Sequence, residues 1–146
     1  MLGRAIPFNK PHGLKIIEVY DDGFKISLPY KRKNLNHIKG IHACALATLT
    51  EYTSGLTLMQ NLASGDYRLI MKNISMIYHF QAKTDVIVSL HLSKEWMNTV
   101  VFIPLKTSGS IFTEVNAEVY DSNQNHICSG VINWQIKKWE KVITKV

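Results

Sequence analysis

Polar residues within and just before one otherwise uncharged segment are the candidates for chemistry. Between Gly40 and Gly65, Glu51 is the only formally charged side chain. A carboxylate in such a segment loses water on burial, and this loss is costly unless the group has partners or a chemical task. Glu51 is therefore either a functional carboxylate or a residue on the one exposed edge of a helix.

The stretch from Asn36 to Ala43 precedes and opens a predicted helix, of which Glu51 is a later residue. Free backbone N–H groups and the positive end of the helix dipole make such a start a site for an anion or an oxyanion. A thioester carbonyl could be polarised there, with a hydrogen bond from His42. The same residues also fit structural roles, Asn36 as a turn or cap residue and His42 as a histidine beside an apolar segment.

Nine residues along the chain separate His42 from Glu51. On one helix this spacing is about 900° of rotation and roughly 13 Å of rise, which places the two side chains on opposite faces. One chain cannot then hold a small substrate between them. If both residues act, the helix start of one subunit faces Glu51 of another, and the site lies at a symmetric dimer interface.

The element that must carry these residues is a long helix, predicted over about residues 40–62. Its alanines combine strong helix propensity with little bulk, so the pattern indicates a helix buried on nearly every side. An Asp-Gly pair at residues 22–23 predicts a hairpin before it. Alternating runs predict strands at residues 14–20, 24–28, 73–82, 86–92, 111–120 and 128–136, with Tyr78 and Phe80 facing the core.

Two connecting segments are harder to assign from the sequence. Residues 95–109 contain an apolar run that Pro104 interrupts, which favours an edge strand or a covering loop. Residues 31–37 begin with three basic side chains and are predicted to form an exposed loop.

Taken together, the elements predict an α+β fold with a curved antiparallel sheet of about six strands around a single long central helix. One helix cannot cover a parallel sheet joined by crossovers, so this is the economical arrangement. The length of 146 residues fits one domain over residues 1–146, with residues 1–13 as an N-terminal extension.

Charge and composition narrow the choice of partner and location. The formal net charge of +6 favours an anionic partner, which leaves nucleic acid, a membrane surface and a phosphorylated molecule such as a coenzyme A ester. No nucleic-acid motif is present, the six histidines have no metal-ligand spacing, and we expect neither a metal nor a separate cofactor. The sequence has no bilayer-length apolar stretch, and Cys44 and Cys128 match no redox motif. We expect a cytoplasmic protein with two reduced, buried thiols.

The segment NHIKGIHACALATLTEYTSG, which holds Asn36, His42, Ala43 and Glu51, resembles the signature of hotdog-fold thioesterases of the PaaI-like type. The ALATLTE run and the downstream segment SMIYHFQAKTDV are similar to a subgroup of that superfamily, the DUF4442-like domains of unknown function. The resemblance covers about residues 10 to 137. It implies a hotdog fold, in agreement with the order of elements predicted above.

The resemblance also implies roles for individual residues. Glu51 matches the catalytic carboxylate, which acts as a nucleophile or as the general base that activates water. Asn36 and His42 match positions that orient the thioester carbonyl and the attacking water, and the Ala43 N–H matches the oxyanion donor. Further substrate contacts are expected from Gly40, Ser54 and Gly55, and from Lys31, Arg32 and Lys33 as hypothetical phosphate contacts that could instead be a solvated charge run.

Three departures from the family pattern stand near this site. Lys39 occupies a position that is commonly Gly, Ala43 and Cys44 replace a Gly pair, and Glu51 replaces an Asp. A glycine-free helix start leaves less room for the close approach of a substrate.

The resulting hypothesis is an acyl-CoA thioesterase that acts as a homodimer, with a homotetramer left open. The alternative is a non-catalytic acyl-CoA or acyl-chain binding protein on the same fold, and a hydratase or dehydratase using His37 or His42 ranks third. Met59, Met71 and Met76 could line an acyl tunnel or fill the core.

Overall fold

The computed structural model describes residues 6–62 and 65–144, in which six strands curl around one long helix. The helix is α1 (Ala43–Leu62). The strands are β1 (Lys15–Tyr20), β2 (Gly23–Leu28), β3 (Tyr67–Tyr78), β4 (Val86–His91), β5 (Ser110–Asp121) and β6 (His126–Lys138). They form one sheet in the order β1-β2-β4-β5-β6-β3, and all neighbours in it are antiparallel. The predicted α+β architecture is confirmed.

The helix α1 begins at Ala43, slightly later than predicted. Leu35 and Ile41 form an isolated antiparallel bridge, which keeps the chain extended up to the helix start. Beyond its first turn most of α1 is buried, including the polar Thr53 and Thr57. The hydroxyls of these two threonines donate to the backbone carbonyls four residues earlier, so burying them leaves no donor unpaired.

The contact between α1 and β6 depends on a glycine and a tryptophan. The Trp134 indole N–H donates to the Ser54 hydroxyl over 3.0 Å, and the Ser54 hydroxyl donates to the Glu51 carbonyl. A Cβ on Gly55 would lie 2.9 Å from the Trp134 ring. The helix therefore approaches the sheet closely because residue 55 has no side chain.

The two long C-terminal strands show the predicted alternation. Val115, Ala117 and Val119 of β5 are buried between exposed neighbours, and Cys128, Ile132 and Ile136 of β6 are fully buried. The Asp-Gly hairpin is also confirmed, with Tyr20 paired to Gly23. A Cβ on Gly23 would collide with the Leu90 carbonyl of the next strand, β4, so only glycine fits there.

The prediction of an edge strand or loop for residues 95–109 is wrong. The segment is helical, with α2 (Lys94–Trp96), a π-helical turn (Met97–Phe102) and α3 (Ile103–Ser108). Pro104 directly follows the π-helical turn, and the chain is helical without a break from Lys94 to Ser108. Met97, Val101 and Leu105 recur every four residues and are buried, which is the helical pattern that the proline obscured.

The prediction that Tyr78 and Phe80 are core residues is also wrong. β3 ends at Tyr78 rather than at residue 82, and the two side chains are 47% and 56% exposed. β3 is an edge strand with a neighbour on one side only, so the side chains at its end are covered from fewer directions.

Two local expectations need the same correction. Cys44 is exposed, whereas Cys128 is buried as predicted. The segment 31–37 is not wholly an exposed loop, because Arg32–Asn34 form a 3-10 turn in which Asn34 is buried.

Of the predicted N-terminal extension, residues 1–5 lie outside the described part of the chain, and Pro7–His12 form another 3-10 turn. Among the described helices, none is long and apolar enough to cross a membrane.

Candidate functional site

Asn36 organises the turn that leads into α1. Its side-chain oxygen accepts hydrogen bonds from the backbone N–H groups of Ile38 and Gly40, each over 3.0 Å. The backbone N–H of Asn36 donates to the Gly40 carbonyl. Because both partners are donors, the atom that binds them is the amide oxygen. The side-chain NH₂ of Asn36 is left as a donor.

Lys39, at the tip of this turn, has a left-handed backbone with φ of 59°. Glycine adopts this conformation without strain, which gives a physical reason for the glycine that the family commonly has there. The Lys39 carbonyl accepts the Tyr30 hydroxyl over 2.6 Å. This bond ties the tip of the turn to the segment that follows β2.

His42 caps the start of α1. Its Nδ1 accepts the backbone N–H of Cys44 over 3.0 Å, and the imidazole is otherwise exposed. A neutral histidine that accepts at Nδ1 carries its proton on Nε2, so the free edge of the ring is a donor. The neighbouring Ala43 N–H makes no hydrogen bond to any residue that the structure describes.

Asn34 anchors the loop before the helix, and sequence reasoning missed it. Its side-chain NH₂ donates to the carbonyls of His12 and Pro29 over 2.9 Å each, and its Oδ1 lies 3.1 Å from the His12 Nδ1. Its backbone carbonyl accepts the His42 N–H over 2.7 Å. The only sequence signal was an asparagine next to a basic run, which more often marks a solvated turn.

A groove of about 330 Å³ opens beside the helix start. One wall consists of Asn36, Ile41 and Ala43, and the other is formed by the chain from Tyr78 to Ala82. The Tyr78 hydroxyl donates to the Ala43 carbonyl over 3.0 Å and so joins the two walls. The predicted site residues Asn36 and Ala43 are therefore brought together in one groove.

Glu51 lies outside this groove, in the third turn of α1. Its side chain is half-buried and makes no hydrogen bond or ion pair with another described residue. Burial raises the pKa of the Glu51 carboxyl because the charged form loses water. A single chain thus presents the groove and the carboxylate as separate features.

The remaining residues that were predicted to contact the substrate lie in different environments. Gly40 is buried beneath the Gln81 side chain, and Ser54 and Gly55 are enclosed by Trp134. Lys31 lies against Gly13, while Arg32 and Lys33 are exposed in the loop before α1. Their roles in substrate binding stay predictions.

The three methionines proposed for an acyl tunnel occupy different environments. Met59 and Met71 are exposed, and Met76 is partly buried with its sulfur 3.5 Å from the Thr50 hydroxyl. The tunnel stays a prediction.

A polar cluster on the outer face of the sheet was not anticipated. His79 Nε2 lies 3.0 Å from the Ser129 hydroxyl, and His126 Nε2 lies 2.6 Å from a Glu118 carboxylate oxygen. The Ser129 hydroxyl also donates to Glu118 over 2.5 Å. Glu118, His126 and Ser129 belong to the hairpin of β5 and β6, and His79 follows β3, so pairing between strands brings the four residues together.

The sheet order and the single wrapped helix define the hotdog class of folds. The chain belongs to the family described as "Domain of unknown function (DUF4442)", whose model matches residues 1–136. A comparison with curated proteins gives no match.

Solved structures with the same fold include several proteins described as thioesterases. A Pseudomonas aeruginosa protein of unknown function, described as a "Probable Thioesterase", superposes with a TM-score of 0.82 at 21% identity, covering 93% of this chain and 90% of its own. A protein of unknown function from Chlorobaculum tepidum gives a TM-score of 0.81 at 14% identity over 94% and 90% of the two chains. A Haemophilus influenzae thioesterase gives 0.73 at 9% identity over 98% and 92%. At these identities the similarity establishes the fold.

Proposed function

We propose that this protein hydrolyses an acyl-CoA or a related thioester at a site shared between two copies of the chain. The observation that carries the proposal is the set of unused donors at the helix start. The Ala43 N–H has no partner among the described residues, and the local bonds of Asn36 and His42 leave Nδ2 and Nε2–H as their free groups. Such a set suits a carbonyl oxygen that becomes negatively charged.

Hydrolysis also needs a base, and Glu51 of the second copy is the proposed one. Its carboxylate removes a proton from water, and the water oxygen attacks the thioester carbon. The resulting oxyanion accepts hydrogen bonds from the Ala43 N–H and His42. The C–S bond then breaks, the coenzyme A sulfur receives the proton from Glu51, and a carboxylic acid and a free thiol are released. Direct attack by the Glu51 carboxylate would use the same donors.

The second copy is proposed to dock on the free edge of β3. This strand has 12 residues and pairs only with β6, which leaves the hydrogen-bonding groups of its other edge available. Ile70, Met71 and Ile77 are exposed along it. Pairing of two β3 edges about a two-fold axis would continue the sheet and cover these apolar side chains.

The basic residues beyond the groove are the proposed contacts for the phosphates of coenzyme A. Arg32 and Lys33 are exposed in the loop that precedes the helix start, with Lys31 beside them. The net charge of +6 favours the approach of such an anion.

The test is the release of free thiol from short, medium, long and aromatic acyl-CoA esters. We expect release by the wild type and a loss of at least about 100-fold in Glu51→Gln, the range typical for removing a general base. Glu114→Gln is the matched control, because Glu114 is exposed on the outer face of β5 and we expect it to keep full activity. Absence of release from every ester by the wild type would reject the hydrolase.

A non-catalytic acyl-CoA binding protein is the second candidate. One observation favours it: the Asn36 oxygen is occupied by its own turn, so it cannot accept a hydrogen bond from an attacking water. Calorimetric titration with acetyl-CoA decides between the two functions. Binding without hydrolysis in both the wild type and Glu51→Gln supports the binding protein.

A further inference from the structure

We infer that Tyr78 is a positioning residue, which holds the start of α1 in the geometry that its N–H donors need. The inference rests on the proposed function, in which the Ala43 N–H binds the oxyanion. Tyr78 does not touch the reacting atoms in this scheme. It acts through the hydrogen bond between its hydroxyl and the Ala43 carbonyl.

The register of the sheet explains how Tyr78 reaches the helix. It is the last residue of β3 and pairs with Cys128, a fully buried residue of β6. Residues directly opposite in an antiparallel pair share a face, so Tyr78 lies on the side of the sheet that holds α1. From there its hydroxyl donates to the Ala43 carbonyl over 3.0 Å, at the first residue of the helix.

The ionisation of Tyr78 suits a permanent donor. Burial raises the pKa of its phenol, and the nearby Cys128 and Cys44 thiols raise it further because a second negative charge there would be repelled. The hydroxyl therefore keeps its proton at the pH values at which a carboxylate base works.

The helix start needs such a support because it lies at the protein surface. His42, Ala43 and Cys44 are all exposed. Backbone bonds fix the residues just before them, from the Ile41 N–H to Ala82 and from the His42 N–H to Asn34. Tyr78 adds a bond from the opposite wall of the groove, because its hydroxyl donates to the Ala43 carbonyl. A displacement well below 1 Å weakens an oxyanion donor, so this bond has a catalytic consequence.

Tyr78→Phe removes the hydroxyl and keeps the ring. We expect kcat for the best acyl-CoA ester to fall about tenfold, with KM within twofold of the wild-type value. We also expect the Ala45 amide proton, which is buried and donates to the His42 carbonyl in the first turn of α1, to exchange with solvent several-fold faster, as measured by NMR. The melting temperature identifies any general loss of structure, because a positioning role leaves it within about 2 °C.

Tyr120→Phe is the matched control. Tyr120 is a comparably exposed tyrosine near the end of β5, and its ring stacks on His126 on the outer face of the sheet. We expect wild-type kcat and wild-type exchange at Ala45 in this variant.

The outcomes separate this inference from the proposed function. If the wild type hydrolyses no ester, the proposed function fails, and the exchange rate at Ala45 still decides whether Tyr78 holds the helix start. Unchanged kcat and unchanged exchange in Tyr78→Phe would overturn the inference. A rise in KM alone would also overturn it, because that result assigns the hydroxyl to ground-state substrate binding.

Discussion

Two polar side chains near the helix start use one atom for structure and leave the other as a donor. The Asn36 oxygen closes a turn, and the His42 Nδ1 caps α1. The acceptors are therefore used internally, and the groups left over are N–H donors. A set of free N–H donors without free acceptors is what an oxyanion site requires, and it would suit a cationic ligand poorly.

Glu51 gives a prediction about stability and pH. Its folded-state pKa is raised, so the folded chain holds the proton more tightly than the unfolded chain. The stabilisation that this tighter proton binding gives is fully present below the pKa of the unfolded chain, near 4.5. It is lost as the pH rises through the raised pKa of the folded chain. Glutamine stays neutral, so we expect the melting temperature of Glu51→Gln minus that of the wild type to grow between pH 4 and pH 8.

Thermal melts of both proteins at several pH values measure this difference. A constant difference across the range would show that the Glu51 carboxylate is fully hydrated in the folded protein. For the proposed base, a loss of stability at neutral pH would be a common cost of function.

Among the elements, the loop between β2 and α1 decides where the helix starts. The isolated bridge, the Asn36 turn and the buried Asn34 fix the path of the chain up to the first residue of α1. The 3-10 turn Pro7–His12 is tied to the same loop through Asn34. The position of the groove therefore depends on Asn34, which does not line it, as well as on Asn36 and Ile41, which do.

Asn34→Ala tests this dependence. Two backbone carbonyls lose their side-chain partner, and we expect the free energy of unfolding to fall by about 2–3 kcal/mol. Urea unfolding followed by circular dichroism gives the value. Asn123→Ala is the control, since Asn123 is exposed and we expect a change within about 0.5 kcal/mol. Equal effects of the two substitutions would contradict the anchoring role of Asn34.

For the whole molecule, the two edges of the sheet differ in ways that bear on assembly. Both edge strands have a register shift, β1 between Ile16 and Glu18 and β3 between Met71 and Asn73, but β1 has only six residues. β3 is twice as long, and its end reaches the helix start through Tyr78. The β3 edge is thus the one at which a second copy could bring its Glu51 near the groove.

Ile77→Lys places a charge on this edge. We expect the variant to remain folded but to elute as a monomer of 16.6 kDa, whereas the wild type elutes at twice that mass in light-scattering chromatography. Thioester hydrolysis should be lost with the dimer. Val19→Lys makes the same change on the β1 edge and should leave the dimer intact. A wild type that is monomeric at micromolar concentration would reject the shared site.

Much of the fold could be predicted because each element carries its own periodic signal. The alternation of β5 and β6, the Asp-Gly hairpin and the uncharged helix all follow from local patterns that the structure confirms. The segment 94–108 could not be predicted in this way. Its helical spacing is short, and Pro104 is a residue type that disfavours the interior of a helix as well as that of a strand.

The sequence by itself determined the α+β architecture, the extent of the helix and the family resemblance, because periodicity and a local motif are properties of neighbouring residues. Only the tertiary structure decided that Tyr78 and Phe80 are exposed, that Cys44 is accessible and that Asn34 is buried. Those outcomes depend on which strand lies at an edge and on what covers a helix end. Both follow from contacts between residues far apart in the chain, and local patterns do not encode them.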